Sequence, residues 1–393
     1  MTILAPLLLA LALTVGATAH AAPATSGDKT AKVVKKKTPA KAGKAKKEIA
    51  KKAAKRAVPK VDYVGEQVNF TEWKAVNTFA DEIAAKHGFP REQLRTLFGE
   101  ARFVDSAVQL VKPAPVGKPK NMNAVRSLMV EPVRINAGVN FWNEHASALA
   151  RAEATYGVPA DIIVGIIGIE TVYGRNTGRF RVVDVLTTLA FAYPEAPNKA
   201  ARMAFFRGEL ENTLLLARKQ SIDPLSLLGS FAGAVGLPQF MPGSILAYAI
   251  DFDQDGVIDL RNSPTDAIGS VANFLVQHGW KREQNGPTIY QAHLSQARQW
   301  EPFLGQGLEA KFTLAQLQAA GVATAATPHG DRLYGLIDLQ NGADATEYWL
   351  ATNNFFAITK YNRSYYYAMS VIELGRALKL SMASEALTPS ETL

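Results

Sequence analysis

Cysteine is absent from all 393 residues, which removes disulfides, thiolate metal sites and a cysteine nucleophile from consideration. A net positive charge is missing from most of the chain as well, although the whole carries +8. Asp28–Lys60 holds 14 Lys and Arg against Asp28 and Glu48, a net of +12, and residues 1–27 have no charged side chain. Residues 61–393 are therefore at −4. A nucleic-acid protein carries basic charge on its folded part, so nucleic acid is excluded as a partner. The basic tract also lacks aromatics. A Lys/Ala/Pro stretch of this kind buries no core and is expected as a disordered linker over residues 22–62. Its charge suits contact with anionic envelope surfaces, although most such tracts are plain tethers.

Long apolar runs are few. The first spans the N-terminus and ends in Ala19-His20-Ala21, the small-x-small pattern that a signal peptidase cuts. Pro6, Thr14, Gly16 and Thr18 dilute it below the ~20 apolar residues of a spanning helix. A signal peptide over residues 1–21 and a periplasmic location are expected. Lacking cysteine, the N-terminus offers no lipobox.

What is present is mostly helical periodicity. Thr71 is expected to cap "EWKAVNTFADEIAAKHG", with Trp73, Val76, Phe79, Ile83 and Ala84 on one face and Gly88 as the stop. Further helices are expected in "PREQLRTLFGEAR", "VDSAVQLV", "KAARMAFFRGELENTLLLARKQ", "TDAIGSVANFLVQHGW" and "SYYYAMSVIELGRALKL". "INAGVNFWNEHASALARAEATYG" reads as one long helix. Lys112–Lys120 is a Pro/Gly connector. Strand-like pieces such as "KFTL" and "LYGLIDLQ" fall between 284 and 350. The expected division is a helical lobe over 63–135, a core over 136–283, a small β or mixed insertion over 284–350, the rest of the core over 351–380, and a disordered tail over 381–393.

The second apolar run, Ile162–Ile169, ends on Glu170. Burial penalises a carboxylate, so an acid placed there keeps its proton to higher pH, and an acid tuned toward neutrality can protonate a glycosidic oxygen. On physics alone, a lone glutamate in an apolar helix is more often a hydrogen-bonded structural group. Tyr173 follows one turn later, on the face of Glu170 if the helix continues, and is expected among the substrate-binding residues.

"GIIGIETVYGRNTGRFRVVDVLTTLAF", "FFRGELENTLLLAR", "GSFAGAVGLPQFMPGS", "DAIGSVANFLVQHGW" and "ITKYNRSYYYAMSV" together resemble the membrane-bound lytic transglycosylase B family of bacterial cell-wall enzymes. The likeness covers about Phe70 to Leu378. It implies a mainly α fold, a lysozyme-like α core domain with an N-terminal helical lobe and the small insertion. It implies peptidoglycan glycan strands as substrate, with cell-wall synthesis or divisome proteins as candidate partners and no cofactor for catalysis. Glu170 occupies the place of the family's single catalytic acid. Ser230 and Gln239 match residues that hydrogen-bond the sugar, and Phe240 is expected as a wall of the cleft. Tyr361, Asn362 and Tyr367 match residues around the reacting sugar, and Arg202 stands where the family faces the peptide stem. Leu237-Pro238 departs from the usual Tyr-Gly, and an aromatic expected around Asn121–Val133 is missing. No second acid is evident within the matching cleft motifs; Asp184 and Glu209 are nearby in sequence, but Glu209 lies in an ordinary polar helix pattern and Asp184 has no assigned role. A hydrolytic muramidase and a non-catalytic wall-binding module are the alternatives.

"DFDQDGVIDLRN" places Asp251, Asp253, Asp255 and Asp259 at positions 1, 3, 5 and 9 of a calcium loop, with Gly256 at the turn and the Val257 carbonyl at 7. Position 12 is Asn262 in place of the usual glutamate. The resemblance implies that Asp266 closes the site around a structural calcium ion.

Overall fold

The structure, a computed structural model, describes residues 68–112, 119–284 and 286–387. The expected signal peptide, the Lys-rich linker and most of the Pro/Gly connector lie outside the described residues. Fourteen α-helices and a small sheet occur among those described, which bears out a mainly α fold. Its described residues form two compact units, one of 110–180 and 229 onward, the other of 68–109 and 181–228.

That division differs from the expected lobe over 63–135 and core over 136–283. Residues 119–135 belong with the first unit, and 181–228 joins 68–109. The reason is a set of long-range polar ties that carry no sequence period. Asp184, 0% exposed, pairs with Arg181 Nε at 2.7 Å and accepts from Arg102 N at 3.1 Å. Thr188 Oγ1 accepts from Val104 N at 3.0 Å. Asp184 is thus a structural anchor of this unit.

Within that unit the Lys74–His87 helix buries Val76, Phe79, Ala80, Ile83 and Ala84 and stops at left-handed Gly88. Thr71 does not cap it. A short turn, in which Thr71 N donates to Asn69 Oδ1, intervenes, and Trp73 takes the N-cap position without a side-chain cap.

In the other unit, the expected long helix is two, Pro132–Glu144 and Ala146–Tyr156, broken at His145. The His145 ring packs on Phe141 at 4.5 Å. The Ala160–Thr171 helix is apolar all round because it is buried all round. It packs against the Tyr365–Leu387 helix so closely that a Cβ on Gly165 would lie 2.5 Å from the Val371 carbonyl oxygen, and one on Gly375 2.5 Å from that of Asp161. The final helix runs to Leu387, so residues 381–387 extend it where a disordered tail was expected. Residues 388–393 lie outside the described residues.

The insertion is a five-stranded antiparallel sheet, ordered Phe312–Thr313, Leu333–Asn341, Asp344–Thr352, Ile289–Leu294, Val322–Thr324. Its centre is the hairpin in which Ile337 pairs with Trp349. Tyr334, Leu336 and Leu350 pack with Tyr290, Trp300 and Leu317 as its core.

Candidate active site

Glu170 is the penultimate residue of the Ala160–Thr171 helix, in which ten of the other eleven residues are buried. Its side chain is half-buried. The helix stops directly after it, with Val172 left-handed at φ 50° and ψ 51°. Thr171 Oγ1 lies 3.0 Å from the Leu237 carbonyl oxygen and accepts from Gly174 N. These bonds tie the helix end to the Gly-rich turn.

The hydroxyl of Tyr367 donates to Glu170 Oε1 at 2.7 Å. Tyr367 sits in the first turn of the Tyr365–Leu387 helix, and its ring stacks with Tyr361 at 6.2 Å and 12°. Tyr361 is held in turn by its hydroxyl on the Pro238 carbonyl and by Phe274 and Phe240 at 4.8 and 5.8 Å. Burial pushes the Glu170 carboxyl up to about 7, against the opposing pull of the Tyr367 hydroxyl. No other carboxylate contributes to that shift. It is a desolvated single acid, not one member of a like-charged pair. Burial also raises both tyrosines well above the ordinary phenol range, so both remain protonated donors.

Asn362 adds a buried acceptor. Its Oδ1 has no hydrogen-bond partner among the described residues, an arrangement that costs about 1–3 kcal/mol until a donor arrives. An N–H or O–H of a ligand would relieve it.

Other expected residues fall differently. Gln239 is left-handed at φ 51°, and its amide nitrogen donates to Gly236 O at 2.9 Å and Thr177 O at 3.3 Å. What it can offer a sugar is its carbonyl oxygen. Ser230 Oγ accepts from Ala234 N at 3.1 Å and Ala232 N at 3.4 Å, leaving the hydroxyl its one proton to donate. Phe240 is 2% exposed, so it backs Tyr361 and does not form a wall. Tyr173 is not on the face of Glu170, because the helix ends at Thr171 and Tyr173 turns left-handed at φ 57°. Arg202 is 1% exposed in the other unit, with its guanidinium among the Tyr193, Phe205 and Phe206 rings. That burial leaves it little surface to offer a peptide stem. The support from Phe274 and from the Pro238 carbonyl went unread in the sequence, since both act through Tyr361.

The aspartate loop is built as its spacing suggests at its first half. Asp251, Asp253 and Asp255 bring carboxylate oxygens within 4.8 Å of one another. Hard oxygens at that separation fit a calcium ion with bonds of about 2.3–2.6 Å. Asp251 accepts from Asp255 N and Gly256 N, while Ser263 Oγ donates to Asp253 at 2.6 Å. Val257 N donates to Asp255. Asp259 and Asp266 stand apart from this trio. Asp259 accepts from Arg261 N, Asn262 N and Asn262 Nδ2. Asp266, 0% exposed, accepts from Phe252 N and Asp253 N with one oxygen and Asp259 N with the other. It clasps the two ends of the loop through the backbone.

Residues 70–376 match the family model described as a transglycosylase SLT domain. The chain is 42% identical to membrane-bound lytic murein transglycosylase B of Escherichia coli K12 over 311 residues, 77% of this chain and 82% of that one. Among solved structures it is similar to the soluble lytic transglycosylase SltB1 of Pseudomonas aeruginosa, with a TM-score of 0.71 and 43% identity over 79% of this chain and 99% of that one. It is also similar to the E. coli lytic transglycosylase Slt35 in complex with calcium, with a TM-score of 0.71 and 39% identity over 82% of this chain and 100% of that one. The fold is that of lysozyme-like lytic transglycosylases.

Proposed function

Because the chain belongs to the transglycosylase SLT domain family, we propose that it is a lytic transglycosylase of peptidoglycan with Glu170 as its one carboxyl catalyst. The observation that carries this reading is the placement of Glu170 at the end of a buried apolar helix, with the Tyr367 hydroxyl on Oε1. Burial lifts its carboxyl to about 7 against the pull of that hydroxyl, so it holds a proton near neutrality and yet can give it up. Most glycosidases divide acid and nucleophile between two carboxyl groups. Here the substrate supplies the second group.

Protonated Glu170 donates to the oxygen joining N-acetylmuramic acid to N-acetylglucosamine, and the bond from that oxygen to the anomeric carbon breaks. The acetamido carbonyl of the muramic sugar supports the oxocarbenium-like centre. Asn362 Oδ1, an acceptor without a partner, suits the acetamido N–H and would fix that group's direction. Glu170, now anionic, takes the proton of the muramic 6-hydroxyl, whose oxygen bonds to the anomeric carbon as the acetamido group leaves. The product is a 1,6-anhydro end, no water is consumed, and Glu170 is protonated again. Closing a ring within one sugar exploits effective molarities of up to about 10⁵ M or beyond. Ser230 and the Gln239 carbonyl are assigned to holding the glycan chain.

Asp251, Asp253 and Asp255 would hold a calcium ion with the Val257 carbonyl, while Asp259 and Asp266 keep the loop in shape. The ion's contribution is structural. A polymer substrate in the envelope requires export, which a signal peptide over residues 1–21, removed before Ala22, would direct.

Mass spectrometry of the fragments released from purified peptidoglycan tests the reaction. Muramic ends one water lighter than the reducing sugar are expected. Reducing ends in their place would make the protein a hydrolytic muramidase, and no release at all would make it a binding module.

A further inference from the structure

The helix that carries Glu170 ends in an unusual way. Helices commonly close on a left-handed glycine, but Val172 and Tyr173 both take that conformation here, at φ 50° and 57°, before Gly174 at 89°. For a β-branched residue followed by an aromatic this is strained backbone, and such geometry persists only where the surroundings over-determine it.

The surroundings are a slot under the helix. Tyr173 folds back so that its hydroxyl oxygen lies where side chains on two glycines would begin. A Cβ on Gly168 would fall 2.3 Å from it and one on Gly138 2.4 Å. The ring packs on Phe141 at 5.2 Å. The hydroxyl itself is buried and has no hydrogen-bond partner among the described residues, so the ring is held there by shape and not by a hydrogen bond. Arg134, 8% exposed, completes the joint. Its Nε donates to the Gly168 carbonyl at 3.1 Å, and its Nη1 to the Leu128 and Met129 carbonyls. The same Gly168 oxygen accepts from Val172 N at 3.1 Å. Two donors thus converge on the carbonyl two residues before Glu170.

We infer that Tyr173 is a positioning residue for Glu170: its ring, keyed between Gly138 and Gly168, holds the left-handed turn that fixes the acid at the helix end. This rests on the role of Glu170 proposed above. It explains an aromatic three residues after the acid that does not face the acid, and two glycines in the interiors of neighbouring helices, where glycine is otherwise unfavourable.

The test is Tyr173→Ala in the full chain, read two ways. One is steady-state bond cleavage on peptidoglycan. The other is the titration midpoint of the Glu170 carboxyl by carbon NMR, which needs no substrate and no activity. With the turn released, kcat falls on the order of 10–100-fold, as expected when a reacting group is displaced by about 1 Å, while KM stays within about twofold. The Glu170 midpoint moves down toward that of an ordinary glutamate as water reaches it. Tyr173→Phe keeps the ring in the slot and restores most of both. Gly168→Ala, whose methyl would collide with the ring, reproduces the loss. Should Tyr173→Ala fail to fold, Tyr173→Leu preserves apolar volume and carries the same readouts. A wild-type midpoint together with a wild-type kcat in a folded Tyr173→Ala or Tyr173→Leu variant overturns the inference. A wild-type protein that cleaves nothing overturns the function instead, and the NMR arm still judges the turn.

Discussion

Glu170 and Asp266 are both enclosed carboxyl groups in the same unit, and burial raises both above their ordinary range. They differ in what pushes back. Asp266 accepts three backbone N–H groups, from Phe252, Asp253 and Asp259, which favour the anion and use both of its oxygens. Glu170 accepts one hydroxyl, from Tyr367, on one oxygen, and its helix supplies no further donor, since it lies at the carbonyl end. Each buried acid therefore takes its chemistry from the local backbone. An acid fed by amide groups becomes a clasp, and an acid at a helix C-terminus among apolar residues becomes a proton store.

Replacing the proton store breaks the comparison most severely. Glu170→Gln removes both the acid and the base of the proposed cycle, so turnover should fall on the order of 10³-fold or more, measured on purified peptidoglycan, while strand binding persists. The same variant should be more stable at neutral pH. The folded protein holds the Glu170 proton to about 7, whereas the unfolded chain releases it near 4.5. The wild type therefore loses stability as pH rises from the lower value through the higher, because the unfolded state binds fewer protons there. The amide has no such loss, and its advantage should grow over that window to about 1–3 kcal/mol and then level off, after discounting the group's partial exposure. An advantage that is constant with pH would show that Glu170 is an ordinary ionised acid.

That proton was legible in the sequence, because an acid ending a run of eight apolar residues states its own environment. The small sheet and most helices were legible for a similar reason, since periodicity and turn residues are local. What was not legible depends on contacts across the chain. The placing of 181–228 with 68–109 rests on Asp184 and Thr188 meeting Arg102 and Val104, side-chain to backbone bonds with no pattern in either segment. The turn of Tyr173 away from Glu170 was not legible either, because no glycine or proline stands between Thr171 and Tyr173 to mark the end of the helix. The burial of Phe240 and Arg202 was not legible, because the resemblance gives residue types and order but not solvent access.

The loop offers the next largest effect. Three carboxylates within 4.8 Å of one another repel unless a cation joins them. A ligand that binds only the folded state adds about 2.7 kcal/mol at a hundred times its dissociation constant. Adding calcium at neutral pH to chelator-treated protein should raise Tm by several degrees, and Asp253→Asn should largely erase the rise. Asp266→Asn should lower Tm with or without calcium, since it weakens the clasp itself. Equal calcium shifts in wild type and Asp253→Asn would remove the trio as the binding site.

The smallest effect has the most diagnostic sign. Tyr367→Phe deletes the one group that favours ionised Glu170, and burial remains. The Glu170 carboxyl must then move up from about 7, because a hydrogen bond to the charged form is lost. Activity that depends on protonated Glu170 falls as pH rises through that value, so the alkaline limb of kcat/KM should shift to higher pH in the variant even as its maximum drops. A general loss of site order would lower the curve without moving the limb. Movement of the limb to lower pH would mean that the hydroxyl serves the neutral acid, and that the proton on Glu170 is held by Tyr367 rather than by the apolar helix beneath it.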